Sequence, residues 1–120
     1  MALTVHDAGG CRLLEGAPGE RLMARADDVV TVIESCFEHG SYAVLLYPEN
    51  LSERFFDLSS GEAGTILQKL RNYHIRLAIV RTPALELSRR FEELLLDENR
   101  GPYFRLLDDR AAAETWLCAA

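Results

Sequence analysis

Residues 55–64 read Phe-Phe-Asp-Leu-Ser-Ser-Gly-Glu-Ala-Gly, and they lead into a segment that ends near Tyr73. From Ala63 onward, apolar side chains recur at the intervals of three and four residues that are typical of an amphipathic helix. Ser59 or Ser60 can cap the start of this helix, because a serine hydroxyl accepts a hydrogen bond from a backbone N–H two or three residues later. The stretch therefore predicts a capped helix with one buried face.

The first turn of this helix contains two glycines, Gly61 and Gly64. A glycine inside a helix costs on the order of 1 kcal/mol relative to alanine, so each is expected to serve packing or close approach. Glu62 suits the positive end of the helix dipole, and we expect it on the exposed face with Lys69 and Asn72. Two interpretations stay open: the helix lies on a sheet through its small residues, or a serine at its start accepts a phosphate or binds an anion.

The composition is that of one soluble globular domain spanning residues 1–120. Of the 120 residues, 48% are apolar and 27% are charged, which is ordinary for such domains. The net charge of -6 argues against sequence-independent binding to nucleic acid. No apolar run approaches the roughly 18 residues that a membrane span needs, and residues 1–6 lack the basic and apolar regions of a signal peptide.

The three cysteines, Cys11, Cys36 and Cys118, are far apart in the sequence. They form no Cys-x-x-Cys pair and their number is odd, so the pattern predicts neither a zinc site nor a disulfide framework. Cys36 falls on the apolar stripe of a predicted helix, together with Val30 and Phe37, and is expected to be a small core residue rather than a nucleophile. This cysteine usage favours a reduced, cytoplasmic setting.

Two near-continuous apolar runs, residues 41–47 and 74–80, flank the central helix. Such runs are typical of strands that are covered on both faces. Between the first run and the central helix, Asn50 can cap a short helix over residues 51–56.

The remaining segments alternate in the same way. Upstream, two short apolar runs at residues 3–6 and 11–15 are joined by the turn-forming sequence Asp-Ala-Gly-Gly, and a helix follows that ends at Gly40. Downstream, the patterns predict a helix over about residues 84–99, a strand over 103–107 and a final helix. The order predicts a single layered α/β domain, in which an opening hairpin precedes alternating helices and strands around a mixed sheet.

Polar residues follow the predicted strands at the edge where their carboxyl ends meet. Ligands gather at this edge of open α/β sheets, and Glu49, Arg81 and Asp108 are expected there. Two interpretations are open. The three side chains converge, as an acid and an ion pair, in the site of a small-molecule binder or an enzyme, or they are helix caps and solvent-exposed charges. No catalytic, nucleotide-binding or metal-binding motif is recognised, so we expect no catalytic residue, metal or cofactor.

Several short sequence motifs resemble those of a bacterial family known only as domain of unknown function 4180. They read Phe-Phe-Asp-Leu (55–58), Ala-Gly (63–64), Ile-Leu-Gln-Lys (66–69), Asn-Tyr (72–73), Leu-Ala-Ile-Val (77–80) and Glu-Asn-Arg-Gly (98–101). The resemblance covers nearly the whole chain. It implies a fold, but no established activity, substrate or cofactor.

A looser resemblance is to the STAS domain, which sulphate transporters and anti-sigma factor antagonists share. The order of elements is similar, and residues 57–61, Asp-Leu-Ser-Ser-Gly, resemble the Asp-Ser-Ser-Gly signature with Leu58 inserted. In that family a partner kinase phosphorylates a serine at the helix start. The resemblance implies a STAS-like layout and makes Ser59 and Ser60 the candidates for phosphorylation.

These patterns favour a non-enzymatic regulatory or interaction module that presents the start of the central helix to a protein partner. The partner surface would begin at Ser59, Ser60 and Gly61 and would include Asp57, Glu62, Gly64, Lys69 and Asn72. A phosphate there would add nearly two negative charges and repel an acidic partner. Self-association is a further expectation. The alternative is a small-molecule binder or enzyme that uses the strand-end residues.

Overall fold

The structure is a computed structural model that describes residues 3–8, 10–17, 19–23, 25–83, 85–98 and 101–119. In these residues the chain forms a five-stranded sheet and four α-helices. The strands are β1 (Thr4–Ala8), β2 (Cys11–Glu15), β3 (Ala43–Leu46), β4 (Arg76–Val80) and β5 (Phe104–Leu107). The helices are α1 (Val29–His39), α2 (Glu62–Asn72), α3 (Arg89–Glu98) and α4 (Arg110–Cys118). The predicted order of helices and strands is confirmed.

The sheet is mixed, as predicted. Its strand order is β1-β2-β3-β4-β5; β1 pairs with β2 antiparallel, and the other neighbouring pairs are parallel. The α/β class is therefore confirmed, whereas the STAS-like layout stays a prediction. The hairpin turn is shorter than predicted, because Asp7 and Ala8 belong to β1. Gly10 adopts a positive φ of 87° in this turn, and Gly9 lies outside the described residues.

The parallel strands are buried on both faces because helices cover both sides of the sheet. Alternate side chains such as Leu14, Val44 and Leu77 pack with α1, α2 and α3 on one face. The intervening side chains, such as Leu13 and Leu45, pack beneath α4 on the other face. This two-sided cover explains the near-continuous apolar runs in the sequence. No helix in the described ranges combines the length and the apolar character that crossing a bilayer requires.

The buried Asn50 side chain joins the loops that follow β2 and β3. Its Oδ1 accepts a hydrogen bond from the Tyr47 N–H at 2.7 Å. Its Nδ2 donates to the carbonyls of Ala17 and Glu20 at 2.7 and 2.6 Å. Gly16 lies so close that a Cβ there would collide with the Asn50 amide. These contacts fix the shape of the surface at the carboxyl ends of β2 and β3.

Two predicted helices differ from the observed ones. The prediction that Asn50 caps a helix over residues 51–56 is wrong, because its side chain turns back toward the preceding strand and the segment contains only a 3₁₀ turn, Glu53–Phe56. The helix predicted over residues 84–99 begins at Arg89, where the Ser88 hydroxyl accepts a hydrogen bond from the Phe91 N–H at 3.1 Å. Residues 84 and 99 lie outside the described residues.

A disulfide joins Cys11 at the start of β2 to Cys118 at the end of α4. Their Cα atoms are 5.6 Å apart, which is within the range that disulfides span. The prediction of no disulfide is wrong, because sequence spacing does not reveal that the fold brings these two residues together. Cys36 is free and buried, as expected. The cytoplasmic setting was inferred from unpaired cysteines, and it stays a prediction.

Arg76 holds the same end of α4 by hydrogen bonds. Its Nη1 donates to the Leu117 and Ala119 carbonyls at 3.2 and 2.8 Å, and its Nη2 donates to the Trp116 carbonyl at 2.8 Å. The guanidinium carbon also lies 4.4 Å from the centre of the Trp116 ring. Because the last carbonyls of a helix form the negative end of its dipole, a cation placed there stabilises the helix end.

We predict that the Cys11→Ser/Cys118→Ser variant has a free energy of unfolding lower by about 4 kcal/mol, because a disulfide that closes a long loop restricts the unfolded chain. Urea unfolding without reductant measures this loss, and the wild-type protein with reductant should behave like the variant. As a control, thiol titration of unfolded, unreduced protein should find the single thiol of Cys36. Detection of three thiols would contradict the disulfide.

Candidate functional site

Asp57 and Ser59 form a tight turn just before α2. The Asp57 Oδ1 accepts hydrogen bonds from the Ser59 hydroxyl at 2.6 Å and from the Ser59 N–H at 3.1 Å. The bond from the hydroxyl, followed by the bond from the N–H, lowers the pKa of Asp57 from its ordinary value. Ser59 is exposed, so its hydroxyl is accessible to a modifying enzyme.

Ser60 is more constrained than Ser59. Its hydroxyl lies 2.5 Å from the Arg54 carbonyl and 2.8 Å from the Asp57 carbonyl, and it accepts a hydrogen bond from the Glu62 N–H at 3.2 Å. The backbone N–H groups of residues 59–62 all have acceptors within this turn. These N–H groups are therefore not free to bind an anion.

Glu62 is buried, with 8% of its surface exposed, so its predicted place on the exposed face of the helix is wrong. Its Oε1 accepts a hydrogen bond from the Ala26 N–H at 2.9 Å, and its Oε2 accepts one from the Ser52 hydroxyl at 3.2 Å. The Nε of Arg54 lies 3.6 Å from Oε2. These contacts tie the start of α2 to the 3₁₀ turn before α1, which gives Glu62 an internal structural role.

A shallow groove, which we call the α2 groove, runs along the outward side of α2. It is lined by Gly61, Gly64, Thr65, Gln68, Lys69 and Asn72. A Cβ at Gly64 would meet no atom within 4 Å, so Gly64 does not bring the helix close to the sheet. Half of the residues predicted for the partner surface, Gly61, Gly64, Lys69 and Asn72, line the α2 groove, and among its described lining residues Lys69 is charged and none is acidic.

Apolar side chains are also exposed on α1 and at the end of α2. Val30, Phe37 and Tyr73 are 46%, 53% and 47% exposed. The predicted burial of Val30 and Phe37 on α1, and of Tyr73 at the end of the apolar stripe of α2, is therefore wrong. The rings of Phe37 and Tyr73 meet edge to face, with centroids 5.5 Å apart. Val30 and Phe37 share one stripe of α1, and Tyr73 lies one turn beyond Lys69. We call the surface formed by these three side chains and the α2 groove the α1–α2 face.

A cavity of about 230 Å³, the strand-end cleft, opens at the carboxyl ends of β3 and β4. It is lined by Arg21, Pro48, Glu49, Leu51, Ser52, Glu53, Phe56, Thr82 and Leu85. Of the three residues predicted to converge at this edge, Glu49 lines the cleft. Arg81 and Asp108 are exposed and do not line it. In the described part of the chain, no ion pair connects the three residues.

A charged cluster at the start of α4 was not foreseen from the sequence. The Nη2 of Arg110 donates to the Glu15 carboxylate at 2.7 Å, and the Tyr47 hydroxyl donates to its other oxygen at 2.6 Å. The Nε2 of His6 lies 3.1 Å from the same carboxylate, and Arg110 also donates to Glu114 at 2.8 Å. The cluster joins α4 to the ends of β2 and β3. Its sequence signal is only a glutamate at the end of an apolar run.

The pKa values of Glu15 and Tyr47 follow from their mutual contacts and from burial. Burial opposes the ionisation of Glu15, but the hydrogen bonds from Arg110 and Tyr47 and the charge of Arg110 outweigh it, so the pKa of Glu15 is lowered. Burial, followed by the hydrogen bond to Glu15, raises the pKa of Tyr47 to about 12. The carboxylate is therefore ionised and the phenol neutral at pH 7. Each donor already has its acceptor, which leaves neither group free for acid–base catalysis.

Cys36 and His74 are the other described side chains that were considered for chemistry from the sequence. Burial raises the pKa of the Cys36 thiol to about 12, and a protonated thiol is a poor nucleophile. The ring of His74 lies 3.0 Å from the Tyr103 hydroxyl, but no nucleophile accompanies this pair among its hydrogen bonds. Within the described ranges, no three His, Cys, Asp or Glu side chains gather closely enough to hold a metal ion.

We predict that Glu15→Gln lowers the free energy of unfolding at pH 7 by on the order of 1–3 kcal/mol, because Arg110 and Tyr47 lose a charged acceptor. A lowered pKa in the folded state means that the carboxylate stabilises the fold above its ordinary pKa of 4.5, and that this contribution is lost as the pH falls through the folded value. The difference between the wild type and the variant should therefore shrink in acid. Urea unfolding at pH 7 and at pH 3 measures it, with Glu93→Gln on α3 as the control. A difference that is the same at both pH values would contradict the role of this ion pair.

Comparison with known proteins places the fold in a family. The family model described as "Domain of unknown function (DUF4180)" matches residues 8–117. A search of curated proteins finds no significant match. The matched segment runs from the end of β1 into the last turn of α4 and so covers most of the sheet and its helices. The chain therefore belongs to the domain of unknown function 4180 family.

Proposed function

We propose that the protein is a non-enzymatic interaction module and that the α1–α2 face is its docking surface. Gly64 carries this proposal. An exposed glycine inside a helix destabilises it by about 1 kcal/mol relative to alanine, and no neighbour within the protein requires a glycine there. Close approach of another molecule along the α2 groove would require it, because a Cβ would stand in the way.

The apolar side chains support the same surface. Val30, Phe37 and Tyr73 are each about half exposed, and Phe37 contacts Tyr73 across the gap between α1 and α2. Exposed apolar side chains that lie together are typical of protein interaction sites, whereas single ones are ordinary. The α1–α2 face thus combines an apolar ridge with a groove that has a glycine at its base.

We propose that the occupant is a second copy of the chain. α1 exposes Glu34 and Glu38 near Phe37, whereas the described lining of the α2 groove contains Lys69 and no acidic side chain. In a two-fold dimer, α1 of each copy would lie on the α2 groove of the other, with Phe37 over Gly64. A two-fold interface needs a surface that complements itself, and the α1–α2 face offers matching shapes and matching charges.

Charge reversal tests this pairing. Sedimentation equilibrium should find a dimer with a Kd in the micromolar range. Lys69→Glu and Glu34→Lys/Glu38→Lys should each weaken self-association by roughly tenfold, because each change places like charges together twice in the dimer. An equimolar mixture of the two variants should restore association, since both contacts regain opposite charges. Leu96→Ser, which removes an exposed leucine on α3, should change nothing. A wild-type protein that stays monomeric, or a mixture that does not recover, would refute the second copy as occupant.

Gly64→Ala provides a second readout of the same interface. The dilute monomer should become more stable by about 0.5–1 kcal/mol, because alanine is the better helix former and has room at this position. The dimer should become weaker, because the added methyl group stands in the α2 groove. Greater stability with unchanged association would remove Gly64 from the interface.

Phosphorylation of Ser59 is the proposed regulatory step. Ser59 is exposed and lies two residues before Gly61, where the α2 groove begins. A phosphate adds nearly two negative charges beside the surface that would receive Glu34 and Glu38 of the other copy. Phosphorylation would therefore dissociate the dimer.

Mass spectrometry of protein purified from its native host should find a phosphate on Ser59. Ser60, whose hydroxyl is held by local hydrogen bonds, is the internal comparison and should be modified less. A Ser59 that carries no phosphate in growing, starved and stressed cells would rule out this step while leaving the dimer untouched.

A further inference from the structure

The strand-end cleft lies at the sheet edge where open α/β folds usually bind ligands. Its volume of about 230 Å³ is smaller than the several hundred Å³ typical of drug-sized ligands, so it suits a small metabolite. Much of its lining is apolar and is contributed by Pro48, Leu51, Phe56 and Leu85. An aliphatic ligand body would displace water from these side chains.

Of the three charged side chains that line the strand-end cleft, two are acidic. Glu49 and Glu53 both line it and are exposed, and Arg21 is its cationic side chain. In the described part of the chain, the side chains of these three residues make no hydrogen bond or ion pair with one another or with any other group. The Ser52 hydroxyl, by contrast, is already donated to Glu62.

A neighbouring cavity extends this arrangement. It shares Glu53, Phe56 and Leu85 with the strand-end cleft and adds the carboxylates of Asp57 and Glu86. Phe56 and Leu85 line both cavities, and the carboxylates of Glu49, Glu53, Asp57 and Glu86 line one cavity or both. Such an arrangement would attract a ligand that carries separated positive charges on an apolar body.

We propose that the strand-end cleft binds an organic cation with an aliphatic body, such as a linear diamine. Its ammonium groups pair with Glu49 and Glu53, and its methylene groups lie over Phe56 and Leu85. A bare divalent metal ion fits this surface poorly, because the apolar floor supplies no ligand atom. The inference is independent of the proposed dimer, since the strand-end cleft and the α1–α2 face share no residue.

Calorimetric titration at low ionic strength with 1,5-diaminopentane tests the proposal. The diamine should bind saturably with one ligand per chain, and amide NMR signals of residues 49–56, 82 and 85 should shift. Two matched probes separate charge from apolar contact: 1,5-pentanediol has the same length without charge, and Mg²⁺ has charge without an apolar body. Neither should bind comparably. Absence of saturable diamine binding, or equal binding of either probe, overturns the proposal.

Variants locate the binding. Glu49→Gln and Glu53→Gln should each raise the Kd of the diamine about fivefold, as expected for the loss of one partly exposed ion pair. Glu93→Gln on α3 removes the same charge outside the cleft and should leave the Kd unchanged. Arg21→Ala should leave the Kd unchanged or lower it. An equal effect of Glu93→Gln would mean unspecific attraction. Weaker binding of the diamine by Arg21→Ala would mean that Arg21 does not oppose the ligand's positive charge in the cleft; either result overturns the proposal.

Discussion

The inner strands carry apolar side chains on both faces, so a covering layer must exclude water from each side of the sheet. One face receives three helices, whereas the other depends on α4, which is only nine residues long. A helix of this length is marginal on its own in water, and the position of α4 is therefore set by its two ends. The Glu15 carboxylate holds the first turn through Arg110, and Cys11 together with Arg76 holds the last turn. Loss of either anchor would expose the same apolar strand residues to water.

The order of helices and strands could be predicted from the sequence because local residue patterns determine it. The three- and four-residue spacing of α2, the runs that became β3 and β4, and Gly40 at the end of α1 with a φ of 64° all act over a few residues. The contacts that hold the two ends of α4 could not be predicted from such patterns. Glu15 and Arg110 are 95 residues apart, and Cys11 and Cys118 are 107 apart, so neither pair leaves a periodic or local trace in a single sequence.

At the candidate surfaces, too, features set by local sequence could be predicted and features set by distant contacts could not. The existence of α2 followed from its apolar spacing, but three details did not: Gly61 rather than a serine stands at its N-cap, Gly64 is exposed instead of packing on the sheet, and Glu62 is buried. Its carboxylate accepts a hydrogen bond from the Ala26 N–H, which belongs to a distant segment. The periodicity of a helix shows which of its side chains are apolar, but not which polar side chain another segment will cover. At the strand-end edge, Glu49 lies in the cleft, whereas the Arg81 N–H continues the pairing of β4 with β5 by donating to the Leu107 carbonyl at 2.7 Å. Order along the chain predicts which strand end a residue follows, but not whether its side chain meets those of the neighbouring strand ends.

The bond between Cys11 and Cys118 also changes the mechanics of the molecule. With this bond in place, nearly the whole domain lies inside a covalent ring, and tension applied to the segments on either side of it passes through the two sulfur atoms. The four parallel strands and the helices, which lie inside the ring, then carry almost none of the load, whereas β1 lies outside it. In the reduced protein the same tension would fall first on α4, which would peel from the sheet and uncover the strands beneath it.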